Sequence, residues 1–397
     1  MTLSWSRPAD AMTCFYRRAR DSAAAMLAAV LVVCWAGAAP AQQIDTPAAF
    51  GYLTDLSSNT VLLDKSASTP TAPASMSKMM TVLMMLERLK AGTLKLDDTF
   101  PVSEKAWRKG GSKMFVELGS RVRVDELLRG IIVQSGNDAC IVVAEGLSGS
   151  ESAFAAEMTA RAKELGLEDS NFLNSTGWPE DGHVMSARDL ARLAQILIED
   201  YPEYYPLFSE TAYEYNNISQ RNRNPLLSDE IGADGLKTGH TEDSGYGLTA
   251  SAVRDGRRLI LVLNGLESTA QRAQEAERLL EWGFRSFDSY ALFEGGQVVE
   301  HAPVWLGDQE SVPLVLEEPL TVTLNRAARK DMKVAIRYDA PVPAPIARGD
   351  RLGVLTVTAP GIDPIERPLV AGAPVEALGP VGRVLGLTQH WLGNILQ

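Results

Sequence analysis

"APASMSKMMTVLMMLERLKAG", residues 72–92, sets a serine, Ser75, three positions ahead of a lysine, Lys78, at the start of an almost wholly apolar run. Side chains three apart on a helix share a face, so Ser75 and Lys78 would meet within the first turn. The run is hydrophobic nearly all round, which places the helix at the centre of a domain, and Gly92 ends it. Taken alone, the pair also reads as a serine cap followed by a solvated lysine, because Ser-x-x-Lys recurs by chance. What decides between the two lies elsewhere in the chain.

Around this helix the sequence mixes strands and helices. "AAFGYLTDLSSNTVLLDKSA" (48–67) reads as two strands about a Ser57-Ser58-Asn59 turn. "RVDELLRGIIVQSGNDACIVVAEGL" (123–147) reads as helix, interrupted near Ser135-Gly136, and the runs at 151–167 and 187–202 read as further helices. Residues 245–266 give strand, turn at Asp255-Gly256, strand, and 269–287 an amphipathic helix. After about residue 290 the helical period stops. Strand-like runs such as "QVVEHAPVWLG", "VPLVLEEPLTVTL" and "RLGVLTVTAPG" follow, punctuated by Gly and Pro, which predicts a small all-β sandwich.

Composition bounds the rest. The chain has 397 residues, 45% hydrophobic and 22% charged, an ordinary globular balance with room for two or three domains. Residues 1–41 stand apart: Arg17, Arg18 and Arg20 precede an apolar run from Ala23 to Gly37, and Ala39-Pro40-Ala41 gives a small-x-small cleavage site. This predicts a secretory signal peptide cut near Gln42, with Met12 as an alternative start. An uncleaved anchor is the alternative, against which the apolar run is short; a lipoprotein reading through Cys34 is weak because of Val33. Removing residues 1–41 takes away four arginines and two aspartates and moves the net charge from −12 to −14. So acidic a chain is a poor candidate for nucleic-acid binding, since nothing offsets the phosphate charge, and no nucleic-acid partner is expected. Of three cysteines, Cys14 and Cys34 leave with the signal, so Cys140 remains without a disulfide partner and no Cys/His metal cluster is expected. It lies in an apolar stretch and reads as a buried core thiol.

Two further clusters resolve the opening ambiguity. "VQSGNDA" (133–139) sets Ser135 and Asn137 about a glycine at the break between helices, and "ADGLKTGHTEDSGYGLTAS" (233–251) carries Lys237-Thr238-Gly239. Each alone is a common turn or strand end. In this order with Ser-x-x-Lys, they form the set known from penicillin-binding proteins and β-lactamases.

With these motifs and "NSTGWPEDGH" (174–183), "QRNRNPLL" (220–227) and "DGLKTGHT" (234–241), the mature chain resembles the D-alanyl-D-alanine carboxypeptidases, the low-molecular-mass penicillin-binding proteins. The resemblance implies an α/β (α+β) penicillin-binding-protein/β-lactamase-like core with Ser75 heading the central helix, then a small all-β sandwich. The expected division is signal peptide 1–41, catalytic domain 42–288, β domain 289–382 and an amphipathic helix 383–397. The activity implied is removal of the terminal D-alanine from peptidoglycan stem pentapeptides through an acyl-enzyme on Ser75, without a cofactor, and with β-lactams as inhibitors. A serine hydroxyl needs a base, and Lys78 can serve if burial or nearby positive charge destabilises its ammonium. Ser135 would relay a proton to the leaving amine and Asn137 would hold the substrate amide. Lys237 would attract the terminal carboxylate, with Arg223 and Arg272 as family matches for that task. Thr238 and Gly239 would line the peptide, and backbone N–H groups of Ser75 and His240 would form the oxyanion hole by family analogy. For the His240 side chain a structural place in the turn after the strand competes with general-base duty.

The alternatives are an endopeptidase acting on cross-links, a β-lactamase and a non-catalytic peptidoglycan-binding protein. A class A β-lactamase needs a glutamate ahead of Leu-Asn, and before Leu173-Asn174 that position holds Ser170. A binding protein would tolerate loss of Ser75 or Lys78, yet both are present. The tail "GRVLGLTQHWLGNILQ" (382–397) gathers Val384, Leu385, Leu387, Trp391, Leu392, Ile395 and Leu396 on half a helical wheel. It predicts peripheral attachment to a membrane surface, the periplasmic face of the cytoplasmic membrane, against the alternative of a helix docked on the β domain.

Overall fold

The computed structural model describes residues 44–228, 230–380 and 382; the expected signal peptide and nearly all of the expected terminal helix lie outside these. The first part of the chain runs β1 (Phe50–Asp55), β2 (Thr60–Lys65), a 3-10 turn (Ala74–Ser77), α1 (Lys78–Lys90), β3 (Thr99–Pro101), α2 (Glu104–Arg108) and β4 (Arg121–Arg123). It continues through α3 (Val124–Ile132), α4 (Asn137–Ser148), α5 (Glu151–Glu164), α6 (Ala187–Glu199), β5 (Ala212–Tyr215) and β6 (Ile218–Arg221). Then come β7 (Ala233–Thr241), β8 (Gly245–Arg254), β9 (Arg257–Leu266) and α7 (Thr269–Ser286). The local signals are physical ones. Ser103, Ser150, Ser186 and Ser268 precede α2, α5, α6 and α7, and each hydroxyl accepts from a backbone N–H of the first turn. Asp255 and Gly256, both at positive φ, make the β8–β9 hairpin turn.

The main sheet has five strands in the order β2-β1-β9-β8-β7, antiparallel throughout, with β7 at the edge. Its period-2 pattern separates two cores. Ile260 and Val262 of β9 face the helical cluster of α1 and α3 to α6, while Leu259, Leu261 and Leu263 face Ala276, Leu279 and Leu280 of α7. Helix α1 runs through the middle of the helical layer, burying Met79, Met80, Val82, Leu83, Met85 and Leu86. Each such side chain contributes about 1.5–3 kcal/mol when taken fully out of water. Whatever stands at the head of α1 is therefore held by a helix buried along most of its length.

From Phe287 the chain is β-rich: β10 (Phe287–Phe293), β11 (Val298–Trp305), β12 (Ser311–Val315), β13 (Leu320–Asn325), β14 (Lys333–Tyr338), β15 (Val342–Pro343), β16 (Arg351–Thr358) and β17 (Ile365–Ala371). A six-stranded sheet, β14-β16-β17-β12-β11-β15, and the pair β10–β13 enclose Val312, Leu314, Val322, Leu355, Val357 and Leu369. Strand β10 follows α7 without a linker. Asp55 of β1, fully buried, sits at this junction: it accepts from Arg257 Nε at 2.5 Å and from Ser289 Oγ at 2.9 Å. Ser289 and Ser58 each meet the Thr323 hydroxyl, at 2.8 and 2.7 Å, and Arg257 Nη1 donates to the Phe287 carbonyl at 2.7 Å. Among the described residues no helix is long and apolar enough to cross a membrane.

Candidate active site

The 3-10 turn delivers Ser75, half-buried, to the head of α1, and Lys78 one turn on is fully buried. Lys78 Nζ donates to Ser75 Oγ at 2.7 Å and to the Thr176 carbonyl at 2.5 Å. Burial pushes the Lys78 ammonium down to about 8, and Arg223 and Lys109 push the same way. The turn is hemmed in by two glycines. A Cβ on Gly177, which sits at φ +74°, would lie 1.9 Å from the Ala74 carbonyl oxygen, and one on Gly239 would lie 2.8 Å from that of Pro73. Only residues without a side chain let the 174–178 segment and strand β7 close on Ser75 from either side.

Ser135 occupies the gap between α3 and α4, buried, at φ +57°. Lys237 of β7 reaches across the site and donates to Ser135 Oγ at 3.0 Å and to the Thr238 carbonyl at 3.2 Å. Burial holds the Lys237 ammonium well below the ordinary lysine range, with repulsion from Lys78 and Arg223 in the same direction. Two serine–lysine pairs thus stand in one site, Ser75–Lys78 at the head of α1 and Ser135–Lys237 between the α3–α4 gap and β7. Asn137, at the first position of α4, gives its Nδ2 to the Gly110 carbonyl at 2.9 Å. That bond fixes the amide's orientation and leaves Oδ1 to accept from an incoming N–H.

The remaining expected residues divide. Thr238 and Gly239 lie within β7 beside the turn. His240 is the next residue of β7, rather than part of a turn after the strand; it is exposed and stacked on Tyr246 with ring centroids 3.9 Å apart. Arg223 reaches the site through Ser112, whose Oγ accepts from Nη1 at 2.5 Å. Arg272 of α7 stands one side chain further back, its guanidinium 5.8 Å from the Tyr246 ring centroid. A cleft of about 500 Å³ opens in front of Ser75, bordered by Ser112, Asn137, Trp178, His240 and Glu242.

Sequence reasoning passed over three contributors. Thr176 supplies the second acceptor for Lys78 through its main chain, which leaves no side-chain signature. Asp138 is fully buried and its carboxylate accepts from the N–H groups of Met114, Phe115 and Val116 at 2.8, 2.9 and 3.2 Å. It ties the loop that carries Gly110 and Ser112 to the start of α4. Trp178 is exposed on the cleft wall, with Lys109 Nζ 4.3 Å from its ring centroid. Ser170, by contrast, donates to Asp189 at 2.7 Å. Cys140 is buried, and burial pushes its thiol up to about 12.

A family model described as D-alanyl-D-alanine carboxypeptidase matches residues 37–267, and one described as penicillin-binding protein 5, C-terminal domain, matches residues 287–377. The D-alanyl-D-alanine carboxypeptidase DacA of Escherichia coli (strain K12) is 35% identical over 353 residues, 86% of this chain and 88% of that protein. DacC of the same organism is 36% identical over 354 residues, with the same shares covered. Among solved structures, penicillin binding protein 5 from Haemophilus influenzae is 34% identical with a TM-score of 0.78, covering 84% of this chain and 98% of that one. Penicillin-binding protein D2 from Listeria monocytogenes, in an ampicillin-bound form, is 27% identical with a TM-score of 0.56 and covers 61% of this chain and 98% of its own.

Proposed function

Because this chain belongs to the D-alanyl-D-alanine carboxypeptidase family, we propose that Ser75 is its nucleophile and Lys78 its general base. The protein is a serine-type D-alanyl-D-alanine carboxypeptidase, a hydrolase of the cell wall that removes the terminal D-alanine of peptidoglycan stem peptides. The observation that carries the site reading is the 2.7 Å approach of a fully buried lysine amine to Ser75 Oγ. Neutral Lys78 takes the hydroxyl proton as Oγ attacks the carbonyl between the two D-alanines. Backbone N–H groups of Ser75 and His240 take the oxyanion. The D-alanine amine leaves with a proton passed through Ser135, which Lys237 holds, and water then releases the shortened peptide from Ser75. Asn137 accepts from the substrate amide, and Thr238 and Gly239 line the peptide's path. Lys237 and Arg223 attract the terminal carboxylate, with Arg272 supporting them from behind Tyr246. A β-lactam enters by the same attack and stays attached, because its opened ring blocks water.

The test is intact-mass measurement after penicillin treatment. One adduct is expected, on the peptide containing Ser75, and none in Ser75→Ala; an adduct elsewhere would overturn the assignment. Incubation with a stem pentapeptide and with a cross-linked dimer separates carboxypeptidase from endopeptidase action, with release of D-alanine expected to dominate.

Residues 1–41 are read as the export signal, 42–288 as the catalytic domain, 289–382 as the β domain, and 383–397 as the segment that holds the exported enzyme on the periplasmic face of the cytoplasmic membrane. Seven apolar side chains favour a lipid surface, while the acidic body and a single arginine, Arg383, favour little attraction to anionic lipid. Vesicle co-sedimentation should therefore depend on residues 383–397 and change little with salt; equal sedimentation without them would reject the anchor.

A further inference from the structure

Lys78 is held from two directions, and one of its two acceptors, the Thr176 carbonyl, belongs to a bend outside any helix or strand. Whatever fixes that bend fixes the second partner of the base. Three anchors do so. Asn174 Oδ1 accepts from Thr176 N, Thr176 Oγ1 and Trp178 N within the bend itself. Thr81 Oγ1, from the same helix as Lys78, donates to the Ser175 carbonyl at 2.7 Å. The third anchor comes from a separate helix: Glu151, the first residue of α5, accepts from both Ser175 N and Ser175 Oγ through one oxygen, Oε1, at 3.3 and 2.9 Å. Ser175 is fully buried and the Glu151 side chain is 9% exposed. The other carboxylate oxygen meets Lys105 Nζ at 2.7 Å. Burial alone would raise the Glu151 carboxyl, but Lys105 and Ser175 outweigh it and hold it below the ordinary carboxylate range.

We propose that Glu151 is a positioning residue for Lys78: acting through Ser175, it holds the Thr176 carbonyl against the Lys78 amine and so fixes where the base points. The proposal rests on Lys78 being the base. The other groups that bear on Lys78 electrostatically are Cys140 and Asp138 of α4, Arg223, Lys109 and buried His183, with Lys237 of β7 across the site. None of them touches Ser175 or Thr176 by a hydrogen bond among the described residues. Loosening the bend removes an acceptor from the ammonium form of Lys78 and frees the amine to turn away from Ser75 Oγ.

The experiment is the rate of β-lactam acylation of the full chain as a function of pH. Glu151→Ala should lower the maximal rate about tenfold, because the amine is no longer aligned with Oγ. It should also move the acid limb about half a unit to lower pH, because losing the carbonyl disfavours the charged form. Glu151→Gln keeps an oxygen for both Ser175 bonds and should restore rate and limb. Ser175→Ala, which removes one hydrogen bond and leaves the carboxylate, should shift both in the Glu151→Ala direction by less, and it carries the test if Glu151→Ala does not fold. A lowered melting temperature with rate and limb unmoved would reduce Glu151 to a structural role and overturn the proposal, as would failure of Glu151→Gln to restore the rate. A wild-type profile with no acid limb would instead strike the assignment of Lys78 as base.

Discussion

Lys78 and Lys237 are buried ammonium groups whose acceptors are all neutral: two hydroxyls and two carbonyls. A carboxylate in their place would hold the protons on; neutral partners let burial win. With Lys78 near 8, acylation should rise with pH through about 8 as the neutral amine appears, and a rate flat between pH 6 and 9 would show a different base. The same displacement has a stability consequence. The folded value lies below the unfolded one, so the unfolded chain binds more protons between them. The cost of the buried ammonium is therefore fully present below about 8 and is relieved as pH rises toward the ordinary lysine value of 10.5. For Lys237 the proposed task is recognition of the carboxylate. Lys237→Ala should weaken turnover of a carboxylate-bearing peptide more than that of an uncharged ester analogue; an equal loss on both would place Lys237 in the chemistry instead.

At the level of elements, the helix–gap–helix of residues 124–148 shows what was legible and what was not. Its interruption at Ser135-Gly136 is plain in the sequence, yet it is Ser135, not Gly136, that takes the left-handed conformation. Within "VQSGNDA" roles fall to Ser135 and Asn137, while the neighbouring Asp138 does the anchoring. Its partners are backbone N–H groups 22 to 24 residues away, which no side-chain pattern announces. The β3–β4 and β5–β6 ribbons also went unread, because strands of three or four residues are too short to establish a period. The five-stranded sheet and α1 were legible because their apolar patterns are long. Two substitutions probe the supports. Gly177→Ala puts a Cβ against the Ala74 carbonyl at a positive φ, and should cost about 2–4 kcal/mol and most β-lactam acylation, read by melting and adduct formation. Asp138→Ala leaves three N–H groups without their acceptor and should cost a similar amount while loosening the loop that positions Asn137.

At the scale of the molecule, two buried side chains among the described residues bear on how it fails. His183 is 3% exposed, and burial pushes it down to about 4, its Nδ1 accepting from Leu173 N at 3.1 Å. Since the unfolded imidazole keeps an ordinary value near 6.5, stability should fall as pH drops from about 6.5 to 4, by about 3 kcal/mol at most. Denaturant melts across that range should flatten in His183→Gln, whose amide oxygen can replace Nδ1. Asp55 is the other. Its removal leaves Arg257 buried beside a broken junction, and Asp55→Ala should cost about 3–5 kcal/mol, with one calorimetric transition expected for the unaltered chain and two for the variant. The partners of Asp55 lie on both sides of the point where the helical part gives way to strands, so the join behaves as a shared keystone and not as a hinge. For protein engineering this makes the two parts poor interchangeable cassettes. A chimera that grafts the β-rich end of one relative onto the core of another should assemble only when Asp55, Arg257, Ser289 and Thr323 are inherited together.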